Sequence, residues 1–260
     1  MATYLDRILD AHRDAARADH RSVEQLSNEA SSLPPARGFE ATLAHNDGLG
    51  VIAEVKRRSP SQGALAPELD PARLAEAYEA GGASCLSVLT DTDWFGGSSH
   101  DLAAARAAAA VPILRKDFTV SEADVCDTRL MGADAVLLIA AALDDGELAA
   151  FHALAGELGL DALVEIHDES ELERALTVGA TLVGVNQRDL VTFEVDTDRA
   201  VRLAPQMPTG VVRVAESGVG GAPDATRLAG AGYDAVLVGE SLVTAPDPAA
   251  AVATLRAIGR

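Results

Sequence analysis

The chain has 260 residues, of which 48% are hydrophobic and 23% are charged, and its 40 acidic and 21 basic residues give a net charge of −19. This composition excludes an intrinsically disordered protein, and the lack of any apolar run near the roughly 20 residues of a membrane-spanning helix excludes an integral membrane protein. The negative charge disfavours nucleic acid and anionic membrane surfaces as partners.

The N-terminal segment predicts a helix ahead of the main fold. Residues 1–21 are rich in Asp and Arg and lack an apolar core, so they do not resemble a signal peptide. Leu5, Ile8 and Leu9 give one modest apolar face, and we expect this helix to pack on the body of the following domain. Residues 31–35, with two serines and two prolines, end the helical pattern and indicate a linker.

From about residue 50, short apolar and β-branched runs alternate with alanine-rich helical stretches. Predicted strands occupy 51–56, 85–90, 112–117, 134–139, 162–166, 181–186, 211–216 and 235–239. Predicted helices occupy 71–81, 98–109, 121–131, 144–157, 168–179, 222–230 and 248–258. Eight strand–helix units predict a parallel sheet that closes into an α/β fold, the (β/α)8 TIM barrel.

Capping signals support these boundaries. Asp70, Ser121 and Asp168 stand where helices should begin, and Gly132, Gly159, Gly179 and Gly232 stand where helices should end. An open doubly wound sheet is disfavoured because no dinucleotide-binding or Walker-type glycine motif follows a strand. We expect one domain over 1–260, with a helical extension at 1–45 and the barrel at 50–260.

Two residue types are rare enough to be informative. The only cysteines, Cys85 and Cys126, lie in apolar stretches, so we expect them to be buried and the protein to be soluble and cytoplasmic. Of the 21 basic residues only Lys56 and Lys116 are lysines. Because arginine supplies every other cation, each lysine indicates a position that needs a compact or titratable amine.

Polar side chains gather at the predicted carboxyl ends of the strands. Glu54 and Lys56 lie two residues apart on one face of the first strand. Later strands end with Arg115, Lys116, Asp117, Glu165, Asn186, Arg188, Glu216 and Ser217. A single charge at a strand end usually just leaves the core, but so many at the mouth of one barrel predict an active site.

Two further features of the mouth indicate its ligand. The loops at 216–221 (ESGVGG) and 239–241 (GES) follow the last two strands, where barrels commonly bind a phosphate. Trp94, Phe95 and Phe118 place three of the nine aromatic residues beside the mouth, which favours an aromatic substrate.

No metal site is expected. The sequence has no HExxH motif, no Cys/His cluster and no carboxylate triplet of metal-site spacing. His167, close to Glu165, is typical of a plain residue at the start of a helix.

Eight ordered segments resemble one known family. They are IAEVKRRSPSQG (52–63), GGASCLSVLTDTDWFGGS (81–98), PILRKDF (112–118), GADAVLLIAAAL (132–143), LVEIHDESELE (163–173), VGVNQRDL (183–190), VAESGV (214–219) and VLVGESL (236–242). By these segments the chain resembles the indole-3-glycerol phosphate synthase family over almost its whole length. Gln62, where many members have Lys, and Trp94 beside Phe95 are mild departures.

The resemblance implies an activity. It implies ring closure of 1-(2-carboxyphenylamino)-1-deoxyribulose 5-phosphate to indole-3-glycerol phosphate, with loss of CO₂ and water. It also implies that the enzyme needs no cofactor and no metal and acts on a small anionic substrate; we expect a monomer.

The resemblance also implies residue roles. Lys116 is similar to the family's general acid and Glu165 to its second acid or base. Glu54, Lys56, Asn186 and Glu216 are similar to the surrounding catalytic and binding residues. Ser59, Arg188, Ser217, Gly218, Gly239 and Ser241 are similar to the substrate and phosphate contacts, and Phe95 and Phe118 to the aromatic pocket.

The chemistry explains these residue types. The aryl carbon that carries the carboxylate must attack a ketone, so a donor must protonate the ketone oxygen as charge develops there. We expect burial and the neighbouring cations Lys56, Arg115 and Arg188 to lower the pKa of Lys116 and make its proton transferable. An arginine is a poor general acid because its pKa is above about 12.

Three other functions stay open on the residues alone. A Schiff-base aldolase would use Lys116 as nucleophile on a sugar phosphate. Phosphoribosylanthranilate isomerase is also a phosphate-binding barrel, but it relies on a Cys/Asp pair and no Cys ends the first strand here. A non-catalytic, effector-binding barrel would not need the acid and base residues at the mouth.

Overall fold

The computed structural model describes residues 3–259 and shows eight parallel strands closed into a barrel. The strands, β1 to β8, are Gly50–Val55, Cys85–Leu89, Ile113–Lys116, Ala135–Ile139, Asp161–Ile166, Leu182–Asn186, Val212–Glu216 and Ala235–Val238. Each strand pairs with the next along the chain, and β1 closes the barrel by pairing with both β2 and β8. The predicted (β/α)8 barrel is confirmed, and no strand end differs from its predicted position by more than one residue.

Side chains of each strand alternate between the barrel interior and the surrounding helices. Ile52, Leu114 and Leu163 pack together inside the barrel, whereas Val51 and Val164 pack outward against the helical layer. Both faces are therefore buried, which explains why the strands are nearly continuous apolar runs. The charged residues within the strands lie at a strand end or one residue from it. The barrel interior opens to a ligand at the carboxyl ends.

The helices surround the barrel. They are α1 (Tyr4–Ala18), α2 (Val23–Ser31), α3 (Phe39–Ala44), α4 (Pro71–Ala80), α5 (Ser99–Ala108), α6 (Glu122–Leu130), α7 (Asp145–Glu157), α8 (Glu169–Thr177), α9 (Arg199–Leu203), α10 (Ala222–Gly230), α11 (Glu240–Val243) and α12 (Pro248–Arg256). All seven predicted barrel helices are confirmed. The short α3, α9 and α11 were not predicted, because four to six residues show too little apolar periodicity.

The predicted caps are confirmed in detail. Asp70, Ser121 and Asp168 each accept a hydrogen bond from a backbone N–H in the first turn of the helix that follows. The four glycines predicted at helix ends all have positive φ, between 69° and 93°. This left-handed conformation is one that glycine adopts without strain.

The extension before the barrel contacts both ends of it. Phe39 and Leu43 of α3 are fully buried against Ile52, Leu114 and Leu163, so this helix closes the amino-terminal end of the barrel. The predicted linker is confirmed in that α2 ends at Ser31 and residues 34–38 have no regular structure.

The position predicted for α1 was wrong. This helix lies across the carboxyl-terminal mouth rather than on the barrel body. His12 Nε2 lies 2.9 Å from Asp91 Oδ2, after β2, and Arg13 binds both carboxylate oxygens of Glu147, at 2.6 and 2.9 Å. Its polar face binds carboxylates of the mouth, and residues of its apolar face, such as Ile8, line the opening beneath.

Two smaller predictions concern the core and the membrane. Cys85 and Cys126 are buried, as predicted, and both are free thiols. Among residues 3–259, no helix is both long and apolar enough to cross a membrane.

Candidate active site

A cavity of about 440 Å³ opens at the carboxyl ends of the strands. All fourteen site residues predicted from the sequence line it, namely Glu54, Lys56, Ser59, Phe95, Lys116, Phe118, Glu165, Asn186, Arg188, Glu216, Ser217, Gly218, Gly239 and Ser241. The strand ends therefore bring together residues that are up to 187 positions apart in the chain (Glu54 to Ser241).

Lys116 is the centre of the site. Its Nζ donates a hydrogen bond to Glu165 Oε2 at 2.8 Å and lies 3.4 Å from Glu216 Oε2. Both carboxyl side chains are almost completely buried, with 1% and 2% exposed, so the interactions are little screened by water. The cluster has one ammonium for two carboxyl groups.

The two carboxyl groups respond to this imbalance in opposite ways. Burial raises the pKa of Glu165, but the charges of Lys116 and His167 and the hydrogen bonds from Lys116 and Asn186 outweigh it and hold that pKa below its ordinary value. Burial, together with the neighbouring charges of Glu165 and Glu54, raises the pKa of Glu216 although Lys116 opposes this. We therefore assign Glu165 as a carboxylate and Glu216 as the protonated partner at neutral pH.

The expectation that the pKa of Lys116 is lowered was wrong. Burial does lower it, but the carboxyl groups of Glu165, Glu216 and Glu54 outweigh burial and raise it above the ordinary lysine value. One of the expected cations is absent from the cluster: Arg115, the next residue before Lys116, points to the opposite face and binds Asp117 at 2.9 Å. Lys116 is accordingly an ammonium in the unliganded site.

Glu54 and Lys56 form a second ion pair beside the first. Lys56 Nζ donates to Glu54 Oε1, and Ser87 Oγ lies 3.5 Å from Glu54 Oε2. A Cβ on Gly239 would overlap the Glu54 carboxyl and lie 3.0 Å from Lys56 Nζ. This pair therefore contacts the loop after β8, and Lys56 presents its charge to that loop.

Asn186 orients three neighbours at the end of β6. Its Nδ2 donates to Glu165 Oε1 at 3.0 Å, while its Oδ1 accepts from the backbone N–H of Arg188 at 3.0 Å and from Ser217 Oγ at 2.9 Å. Because the N–H of Arg188 needs an acceptor, the side-chain oxygen of Asn186 must face Arg188 and Ser217. The amide NH₂ group of Asn186 must therefore face Glu165.

The loops after β7 and β8 have the conformation of an anion site. Ser217 and Gly218 are consecutive residues with positive φ, 64° and 72°, so the chain turns sharply after Glu216. Ser241 Oγ donates to the carbonyl of Val219 at 2.9 Å and joins the two loops. Gly239 precedes the first turn of α11, where backbone N–H groups have no helical acceptor and favour an anion.

Ser59 lies in a small hairpin after β1. Residues 58–59 pair with 63–64, and Ser59 Oγ accepts from the N–H of Gln62 at 3.2 Å. Part of the hydrogen-bonding capacity of Ser59 is therefore used to hold the turn. Its contact with substrate stays a prediction.

The aromatic residues divide into two groups. The rings of Phe95 and Phe118 lie 6.3 Å apart on the cavity wall. Trp94 does not line the cavity; its ring packs edge-on against Tyr4 at 5.1 Å, so its predicted place in an aromatic substrate site was wrong. Asp91 Oδ1 accepts from the backbone N–H groups of both Trp94 and Phe95, at 2.7 and 3.1 Å, and so holds the turn that carries them.

Several residues of the site were not predicted from the sequence. Tyr4, Leu5 and Ile8 of α1 and Phe193 of the loop after β6 line the cavity. His167 was assigned no function, yet its Nε2 lies 3.7 Å from Glu165 Oε1. A signal for His167 existed, because residues two apart at a strand end face the same way, as Glu54 and Lys56 do.

His12, Asp91 and Asp117 form a group whose polar atoms lie within 4.8 Å of one another. These atoms already have partners: Asp117 binds Arg115, Thr90 and the N–H of Phe118, and Asp91 binds His12 and two backbone N–H groups. The group is thus an ion-pair network that fixes α1 to the mouth. The predicted lack of a metal requirement stays a prediction.

Comparison with known proteins gives one consistent family. The sequence model of the family described as indole-3-glycerol phosphate synthase matches residues 5–255. The chain is 50% identical to the indole-3-glycerol phosphate synthase of Mycobacterium tuberculosis and 51% identical to that of Mycobacterium avium, covering in each case 99% of this chain and 95% of the relative.

A solved structure shares the fold. Thiamine phosphate pyrophosphorylase from Pyrococcus furiosus superposes with a TM-score of 0.61 at 16% identity, covering 81% of this chain and 95% of that one. At this identity the likeness supports the barrel fold and nothing about the reaction.

Proposed function

The chain belongs to the indole-3-glycerol phosphate synthase family, and from this premise we propose how its residues divide the work of the reaction. The protein is a carboxy-lyase of tryptophan biosynthesis that converts 1-(2-carboxyphenylamino)-1-deoxyribulose 5-phosphate into indole-3-glycerol phosphate, CO₂ and water. The observation that supports the proposal most strongly is the contact of the Lys116 ammonium with both Glu165 and Glu216.

Lys116 is the proton donor for ring closure. The aryl carbon that carries the carboxylate attacks the ketone carbon, and the ketone oxygen takes a proton from Nζ as its charge grows. The raised pKa of Lys116 does not prevent this step, because the developing alkoxide is a stronger base than an amine. Loss of CO₂ then leaves the bonding electrons in the ring and restores its aromaticity.

Glu165 and Glu216 carry out the dehydration. The hydroxyl formed in the first step leaves as water with a proton from Glu216, whose raised pKa keeps it protonated. Glu165, as a carboxylate, takes the proton from the adjacent carbon and completes the indole. Glu165 returns that proton to Lys116 across their 2.8 Å contact, and Glu216 is reprotonated from solvent.

The remaining residues bind and orient the substrate. The phosphate lies at Ser217, Gly218, Gly239 and Ser241, with Lys56 beside it. The aryl ring lies against Phe95 and Phe118, and Arg188 provides a cation for the carboxylate. Glu54 holds Lys56, and Asn186 holds Glu165, so each acts through its partner.

The geometry of the site disfavours two alternative functions, the Schiff-base aldolase and the isomerase. A Schiff-base aldolase needs a neutral, nucleophilic amine, whereas carboxyl groups hold Lys116 as an ammonium. The isomerase reaction needs a cysteine at the mouth, whereas Cys85 is buried near Phe39 at the other end of the barrel.

The test is formation of the indole product, followed by ultraviolet absorbance, for the wild type and for Glu165→Gln. We expect the variant to bind substrate but to lose at least about 10²-fold in kcat, the low end for a lost general base. The matched control, Glu157→Gln, changes an exposed glutamate of α7 and should leave kcat unchanged. Near-normal turnover of Glu165→Gln would contradict the assigned role.

We also propose that the protein is a cytoplasmic monomer. Val191 and Val195 are the exposed large hydrophobic residues of the described chain, which leaves little apolar surface for a stable interface. Light scattering coupled to gel filtration should give a mass near 26.8 kDa, and a dimer mass would contradict the proposal.

We propose, finally, that residues 1–260 fold as one domain. The extension at 1–45 joins the barrel at 50–260 through the buried α3 and through Arg37, whose N–H donates to Asp134 at 2.8 Å. Thermal unfolding should therefore show one transition by both circular dichroism and tryptophan fluorescence, since Trp94 contacts α1. Two separated transitions would count against a single domain.

A further inference from the structure

His167 lies next to Glu165, the proposed base, and takes no direct part in the proposed reaction steps. It follows β5, two residues after Glu165, and its side chain is 12% exposed. It does not line the cavity, so it does not touch the substrate.

Both ring nitrogens of His167 face carboxylates. Nδ1 lies 3.0 Å from Glu171 Oε2, and the same oxygen accepts the backbone N–H of His167 at 2.7 Å. Nε2 is buried and has no hydrogen-bond partner, but it lies 3.7 Å from Glu165 Oε1. A neutral imidazole would direct a lone pair at one of the two carboxylates, whereas an imidazolium directs an N–H at each.

The other charged groups around the ring are few. Arg199 of α9 faces it and favours the neutral form, while Asp168 is exposed at the start of α8. Burial lowers the pKa of His167, but the hydrogen bond to Glu171 and the charges of Glu165 and Glu171 outweigh burial and Arg199, so that the pKa is raised.

We propose that His167 is a positioning residue for the reaction: held by Glu171 as an imidazolium, it keeps Glu165 ionised and therefore able to accept a proton. This inference rests on the proposed role of Glu165 as the base. Lys116 alone cannot guarantee that ionisation, because it gives up its proton during ring closure and becomes neutral. At that stage the charge of His167 still acts on Glu165.

The test is the pH profile of kcat for His167→Gln, which keeps an N–H donor but removes the positive charge. An opposite charge within about 4–6 Å lowers a carboxyl pKa by about 1–3 units, so we expect the acidic limb of the profile to move up by at least about one pH unit. KM should stay within about twofold, since the ring does not contact the cavity. His152→Gln, at a half-buried histidine of α7, is the matched control and should leave the profile unchanged.

A second variant keeps the test decisive if His167→Gln folds poorly. Glu171→Gln leaves the histidine in place but removes the carboxylate that holds it, so it should move the acidic limb in the same direction by a smaller amount. The double variant should equal His167→Gln alone, because both changes act through one charge.

The results separate this inference from the proposed reaction. If Glu165→Gln abolishes turnover while His167→Gln lowers kcat equally at every pH, or not at all, His167 is only structural and the inference is wrong. If Glu165→Gln turns over normally, the base assignment fails and the inference fails with it. If the acidic limb shifts in both His167→Gln and Glu171→Gln, and Glu165→Gln is inactive, the results support both the base role of Glu165 and the positioning role of His167.

Discussion

Gly184 on β6 leaves the space that the carboxyl group of Glu216 on β7 occupies. A Cβ added to Gly184 would overlap Oε1 of Glu216 and lie 3.2 Å from a methyl group of Leu163. The absence of a side chain at this position therefore decides where Glu216 can lie, and with it the distance from Glu216 to Lys116.

Gly184→Ala should for this reason impair catalysis more than folding. The methyl group forces the Glu216 carboxyl toward Lys116 or out of the site, and we expect kcat to fall by at least about tenfold, equivalent to about 1.4 kcal/mol of transition-state stabilisation. Steady-state kinetics and a melting curve measure both effects. Gly156→Ala, in α7 with open space at its Cβ, is the control and should be neutral or slightly stabilising. Unchanged kcat in Gly184→Ala would show that Glu216 has room to move without effect.

Glu216 should also make stability depend on pH. Its pKa in the folded protein is raised, so the folded state binds the proton more tightly than the unfolded state does. The resulting stabilisation is complete below the ordinary glutamate pKa and is lost as pH rises through the raised value. Glu216→Gln mimics the protonated acid, so its melting temperature relative to the wild type should rise between pH 6 and pH 9. If the melting temperatures of Glu216→Gln and the wild type differ by the same amount at pH 6 and at pH 9, Glu216 is ionised over that whole range.

The sequence predicted the barrel well because its determinants are local. Strands buried on both faces are largely apolar runs of four to six residues, and caps such as Asp70 mark the helix starts. The mouth residues could be predicted for the same reason, since every strand end of a closed parallel barrel lies on one rim. The role of Gly184 could not, because it depends on a side chain 32 residues further along the chain.

The electrostatics of the mouth were harder to predict. The sequence shows that cations and carboxylates share the rim but not which pairs touch. Arg115 and Lys116 are adjacent, and strand alternation sends them to opposite faces, so the nearest charges to Lys116 are carboxylates. The position of α1 could not be predicted either, since it depends on contacts such as His12 to Asp91, 79 residues apart.

His12 should control how firmly α1 covers the mouth. Burial lowers its pKa, but the hydrogen bond to Asp91 and the charges of Asp117, Asp91 and Asp124 outweigh burial and raise it. The ion pair is therefore complete below the ordinary histidine pKa and is lost as pH rises through the raised value. His12→Ala should raise KM by several-fold, because Tyr4, Leu5 and Ile8 of the same helix line the cavity, and should change kcat less.

Limited proteolysis of α1 provides an independent measurement. Cleavage near Arg17 should be faster in His12→Ala than in the wild type at pH 6, and this difference should shrink as the pH rises and the wild-type pair weakens. His20→Ala changes an exposed histidine just after α1 and should cleave like the wild type. Equal cleavage of His12→Ala and the wild type at pH 6 would show that Arg13 and the aromatic contacts hold the helix without His12.

The two lysines should respond differently to replacement by arginine. Lys116→Arg keeps the charge, but a guanidinium does not give up a proton, and its planar group is wider than an ammonium. We expect kcat to fall by at least about 10²-fold while substrate still binds. Lys56→Arg should lose mainly affinity, because Lys56 pairs with Glu54 and presents charge to the loop at Gly239 rather than a transferable proton.

Steric misfit alone could also inactivate Lys116→Arg, and a chemical rescue separates the two causes. Lys116→Cys, treated with 2-bromoethylamine, carries a primary amine of nearly the length of lysine, and the native Cys85 and Cys126 are buried and protected from the reagent. Because the amine restores a transferable proton at the same place, the treated variant should regain a large part of the wild-type kcat while untreated Lys116→Cys stays inactive. Near-normal kcat in Lys116→Arg, or no recovery after full aminoethylation of Lys116→Cys, would remove Lys116 from the role of proton donor.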